Sequence, residues 1–202
     1  MFNRNLTILL IAQVFSFTAA PVTVFLSGII GSIMINNKSL ATLPAALMII
    51  GTAIGSIFAA YLMSVKGRKF GFIFATIITS VSALIASYSI YNNIFILYCL
   101  SNFLIGAGHA FVNQYRFAAA ESVKKEYSAT AISFILFASM IGALLGPNIA
   151  TITKDVVSNS IYSGSYIFLS ILTFIPFFLF LFYTNEKSEL SNETQILKVR
   201  SY

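Results

Sequence analysis

Residues 70–115 read FGFIFATIITSVSALIASYSIYNNIFILYCLSNFLIGAGHAFVNQY, 46 residues without one Asp, Glu, Lys or Arg. As one helix they would extend about 69 Å at 1.5 Å per residue, twice a hydrocarbon core of roughly 30 Å. Only Tyr91-Asn92-Asn93 interrupts the apolar run, so the stretch reads as two membrane-spanning helices joined by a short polar hairpin. Outward from it lie four more charge-free runs of spanning length: Asn5–Asn37, Ser39–Val65, Tyr127–Thr153 and Val156–Asn185. The expected spans are Leu6–Met34, Leu40–Val65, Phe70–Ile90, Ile94–Ala119, Ala129–Thr153 and Ile161–Thr184. Short connections make successive helices antiparallel neighbours. The fold class is an all-α polytopic membrane protein of six transmembrane helices.

Composition agrees. Hydrophobic residues make up 58% of the chain and charged residues 9%, with a mean hydropathy of +0.88. That excludes a soluble domain, which could not cover its surface with so few charges. Runs that are apolar on every side also exclude a membrane β-barrel, whose strands alternate. The first run is too long for the core of a cleaved signal peptide and is expected to be retained.

The net charge of +6 is a matter of topology rather than nucleic-acid binding. With the N-terminus inside, Arg4, Lys66, Arg68, Lys69, Arg116, Lys124, Lys125, Lys187, Lys198 and Arg200 are cytoplasmic. Only Lys38 and Lys154, of twelve basic residues, fall outside. This positive-inside bias places both termini in the cytoplasm, as for a protein of the bacterial inner membrane. Residues 1–185 form the helical bundle, and the polar stretch 186–202 reads as a cytoplasmic tail or the start of a linker.

Two helices carry small residues every fourth position: Gly51, Gly55 and Ala59 on the second, and Ala138, Gly142, Gly146 and Ala150 on the fifth. Such stripes let helix backbones approach closely in lipid. Pro147 follows Gly146 and is expected to bend its helix by freeing a carbonyl. On the fourth helix Asn102, Gly106, His109, Asn113 and Arg116 share one face by their spacing. Gln13 and Ser16 form a shorter polar patch on the first. Side chains that are costly in hydrocarbon turn inward, so these two helices are expected to meet around a polar cavity that contacts a small solute. His109 is the only histidine; it reads either as a proton carrier or solute contact, or as a hydrogen-bonded structural residue. All six acidic residues (Glu121, Glu126, Asp155, Glu186, Glu189 and Glu193) lie outside the spans. No carboxylate pair, metal-ligand set, nucleophile with its base or phosphate loop is present, so neither an enzyme nor a cofactor is expected. Cys99 is a lone packed thiol.

The segment Ala60-Tyr61-Leu62-Met63-Ser64-Val65-Lys66-Gly67-Arg68-Lys69 resembles the loop signature of the major facilitator superfamily, most closely at Gly67-Arg68-Lys69. Ala60, Ser64 and Val65 stand where that signature has a glycine, an acid and a base. Gly142-Ala143-Leu144-Leu145-Gly146-Pro147 resembles the fifth-helix motif of the superfamily's antiporters, with Ala150 in place of a glycine. Tyr115-Arg116-Phe117-Ala118-Ala119-Ala120-Glu121 is similar to a run found in a group of bacterial members. Asn102 occupies the position of a fourth-helix arginine tied to proton coupling.

The resemblance implies the N-terminal six-helix half of a twelve-helix secondary transporter, inactive alone, with a second half or another copy as partner. It further implies that Gln13, Ser16, Asn102, His109 and Asn113 line part of the solute path, with or without proton coupling. Gly67, Arg68, Lys69, Arg116 and Glu121 would then hold the cytoplasmic loops and gate, and Arg68 is expected near Glu121. Two rival readings stay open: a six-helix solute-capturing subunit of an ATP-driven vitamin importer, and a non-functional fragment of a split transporter gene.

Overall fold

The computed structural model describes residues 2–185; the polar stretch 186–202 lies outside the described residues. Among the described residues there are α-helices, two 3-10 turns and no strand. The α-helices are α1 (Arg4–Phe17), α2 (Ala19–Met34), α3 (Leu43–Lys66), α4 (Arg68–Tyr91), α5 (Phe95–Val112), α6 (Tyr115–Glu121), α7 (Ser128–Ile152) and α8 (Ser163–Leu181). They build six rods long and apolar enough to cross a membrane, with α1 and α2 sharing the first and α5 and α6 the fourth.

The two interruptions have local causes of different clarity. Pro21 has no N–H to give the Phe17 carbonyl, and the Thr18 hydroxyl caps the Phe15 carbonyl at 2.7 Å, so the helix tightens at Thr18. After Val112 the bonds shorten to the i→i+3 type at Gln114 and Phe117, without a proline or glycine to account for it. At Pro147, by contrast, α7 runs on without interruption to Ile152.

Packing follows the small residues. α3 lies on α5, α4 between α5 and α8, and α1 on α7. A Cβ on Gly51 would overlap the Phe103 carbonyl, and one on Gly106 would overlap that of Met48, so α3 and α5 touch backbone to backbone. Gly142 meets Val14 and Phe17, and Gly146 meets Thr18 and Val22. These stripes are therefore used inside the bundle, as close backbone contacts between its own helices. What remains open is the other side of the same helices. Only 22% of the apolar window of the α3 rod and 33% of the α7 rod is buried, against 44–61% for the other four. Ile49, Ile54, Ile57 and Tyr61 on α3, and Phe137, Met140 and Leu144 on α7, all face outward.

Polar pairs stitch the interior. Ser80 meets Ser170 at 2.8 Å and Ser87 meets Ser163 at 2.7 Å between α4 and α8. Each serine sits a whole number of turns from the next, and inter-helical hydroxyl bonds satisfy groups that lipid cannot. Aromatic side chains fill the end of the bundle where the chain enters: Phe72 packs edge-on against Tyr115 at 4.7 Å and beside Phe180 at 5.2 Å.

Candidate functional site

A cavity of about 100 Å³ opens between α1, α5, α6 and α7, lined by Gln13, Phe17, Val112, Asn113, Arg116, Ile135, Leu136 and Ser139. Gln13 is buried, and its Nε2 donates to Ser139 Oγ at 2.7 Å. Ser139 Oγ in turn donates to the Ile135 carbonyl at 2.9 Å. A carbonyl can only accept, and a hydroxyl has one proton, so Ser139 can only accept from Gln13. The amide of Gln13 is thereby oriented, and its Oε1 is left without a partner. A buried acceptor in that condition costs about 1–3 kcal/mol unless something donates to it. Asn113 lies in the turn between α5 and α6, and Arg116 in the first turn of α6.

The remaining polar positions go elsewhere. Ser16 faces the Tyr115 hydroxyl at 3.3 Å and shares a gap of about 10 Å³ with Thr76, Thr79 and Thr173, room for one water molecule. Asn102 is fully buried and donates to the Tyr98 carbonyl at 2.7 Å, near the paired hydroxyls of Tyr98 and Tyr166. His109 is buried against the Phe17 ring, centroids 5.3 Å apart, with Nδ1 unpartnered. Gly106 is covered by α3.

One shared cavity for the whole stripe is therefore corrected. Fourteen residues of helix separate Asn102 from Arg116, about 21 Å along the axis, and the turn after Val112 re-aims the last two members. Only Gln13, Asn113 and Arg116 come together. Ser139 and Phe17 belong to the site and were missed; Ser139 lies one turn before Gly142 on the face that packs against α1, the signal that could have found it.

At the end of the bundle that holds Arg68, the loop between α3 and α4 is a tight, well-anchored turn. Gly67 has φ +83, a conformation other residues adopt only with strain, and it turns α3 directly into α4. Arg68 grips Glu121 with both arms, Nε to Oε2 at 2.8 Å and Nη2 to Oε1 at 2.5 Å, as the sequence led us to expect. Lys69 Nζ donates to the Leu181 carbonyl at 2.6 Å, joining this loop to α8. Asn5 Nδ2 donates to the Thr184 carbonyl at 2.9 Å, tying the first helix to the end of the last. Ser64, where the signature has an acid, donates to the Tyr61 carbonyl of its own helix at 2.7 Å.

Comparison with known proteins agrees with this architecture. The riboflavin transporter RfnT of Brucella anthropi is 29% identical over 170 residues, covering 84% of this chain and 43% of that protein. Two uncharacterized MFS-type transporters of Bacillus subtilis, YdeG and YddS, are 28% and 25% identical over 156 and 150 residues, covering 77% and 74% of this chain. The chain thus spans less than half the length of these curated relatives, 34–43% of each. The family profile of the Major Facilitator Superfamily matches residues 6–200. With six apolar rods, the Gly67 turn and the Arg68–Glu121 clasp in place, this integral membrane chain belongs to the Major Facilitator Superfamily.

Proposed function

We propose that this chain acts as the N-terminal six-helix half of a secondary transporter, moving a small solute by alternating access opposite a second bundle. The observation that carries this reading is the cavity at Gln13, Asn113 and Arg116. At about 100 Å³ it is smaller than the roughly 300–1,000 Å³ of a complete small-molecule site, as expected of one wall. The poorly covered outer faces of α3 and α7 supply apolar surface on which a second bundle, or another copy, would rock. Membership of a transporter family speaks for transport and against catalysis. Arg68, Lys69 and Glu121 hold the cytoplasmic end of this half, and both termini face the cytoplasm. Solute contact falls to Gln13, Asn113 and Arg116; Ser16, Asn102 and His109 serve the bundle's interior.

A non-transporting fragment is the second reading, favoured by Ala60, Ser64 and Val65 at signature positions. One experiment separates the two. Liposomes holding the chain as a verified monomer are expected to take up no labelled riboflavin, the solute named for the Brucella relative. Uptake should appear when the chain is co-reconstituted with a separately encoded second half or assembles as a pair. Saturable uptake by the monomer would overturn the half-transporter reading, and silence in every assembly, across a panel of solutes, would favour the fragment.

A further inference from the structure

The cavity beside Gln13 is specific in its chemistry as well as its place. Gln13 lines the cavity but is only 3% exposed, and the Ser139–Ile135 bond fixes its amide so that Oε1, not Nε2, is left without a partner. A solute that reaches Oε1 must bring an N–H or O–H. At the mouth, Arg116 makes no hydrogen bond and no ion pair among the described residues; its guanidinium rests 4.8 Å from the centroid of the Phe117 ring. Of the three carboxylates among the described residues, Glu121 is held by Arg68 and Asp155 lies beside Lys154, while Glu126 makes no ion pair; none of the three lines the cavity. Asn113 between them can donate or accept. Phe17 and Ile135 supply an apolar wall.

These groups discriminate between classes of solute. A cation would meet the Arg116 guanidinium in a cavity whose lining holds no carboxylate to balance it. An apolar solute would leave Gln13 Oε1 without a donor. A neutral hydrogen-bonding solute would match Gln13 and leave the guanidinium without a counter-charge. We propose that this cavity takes a small organic anion that also carries a hydrogen-bond donor, its N–H or O–H given to Gln13 Oε1 and its anionic oxygen received by Arg116. The assignment names the solute class for the wall described under the proposed function, and rests on that reading for the solute's passage. Binding itself is a property of residues within this chain.

The test is equilibrium binding to the purified full chain in lipid nanodiscs, with three labelled probes of similar size. Orotate carries both an imide N–H and a carboxylate; uracil keeps only the imide, and benzoate only the carboxylate. Orotate should bind saturably and at least about tenfold more tightly than either of the others. Arg116→Gln should weaken orotate about tenfold and leave uracil unchanged. Gln13→Leu should weaken orotate and uracil and spare benzoate. Should Gln13→Leu fail to fold, the wild-type chain still decides: added salt should weaken orotate and not uracil.

Absence of saturable orotate binding, equal affinity for uracil, or indifference of orotate to Arg116→Gln would overturn the assignment. Orotate bound by a chain that transports nothing in any assembly leaves the site standing and removes the transport reading. Riboflavin uptake by an assembly that binds no orotate removes the site and leaves transport intact.

Discussion

Arg68 and Glu121 show how far single residues can be read from one dimension. Arg68 opens α4 and Glu121 closes α6 at the same end of the bundle, and a guanidinium fork opposite a carboxylate pairs with two parallel bonds. Their side chains are 25% and 55% exposed, so water screens the pair and its contribution to stability is about 0–1 kcal/mol. A double-mutant cycle of Arg68→Gln and Glu121→Gln, read by thermal unfolding in detergent, should return a coupling in that range. A coupling above about 2 kcal/mol would mean the clasp is far less hydrated than its exposure indicates. Gln13 teaches the opposite lesson. Its polarity within a span marked it, but its amide orientation depends on Ser139, 126 positions away, and no spacing rule joins the two.

At the scale of the element, the small-residue stripes were legible and their partners were not. A run of Gly51, Gly55 and Ala59 states that some backbone comes close; that it is α5, around Phe103 and Ala107, is a matter of which rods become neighbours. Gly51→Ala places a methyl against the Phe103 carbonyl, and rigid backbone cannot give way as a flexible side chain would. The expected loss is about 1–3 kcal/mol, seen as a lower unfolding midpoint with no change in oligomeric state. An unchanged midpoint would mean that α3 and α5 lie farther apart. Breaks in the rods follow the same division. Pro21 supplies a cause for the tightening at Thr18, while the turn after Val112 has neither proline nor glycine to announce it.

For the whole molecule, the distribution of charge is expected to decide orientation. Six rods return the chain to the side on which it started, and of the nine basic residues among those described all but Lys38 and Lys154 fall at that side. A reporter active only in the cytoplasm should work when fused after Tyr202 and fail when fused after Asn92. A periplasmic reporter should show the reverse. Activity after Asn92 in the cytoplasmic assay would overturn the orientation.

The sequence by itself determined the number of rods, their approximate ends, the membrane as solvent and the family. Each of these rests on local quantities: a run of apolar residues has a length, and a bilayer has a thickness against which to compare it. Tertiary structure alone decided which polar groups meet. Asn102, Gly106, His109, Asn113 and Arg116 share a stripe by helical period, yet α3 covers one, Phe17 packs against another, and the turn after Val112 carries the last two into a cavity with α1 and α7. Periodicity fixes the angle at which a side chain leaves its own helix. What stands opposite it depends on how neighbouring rods pack, and that depends on contacts between residues far apart in the chain.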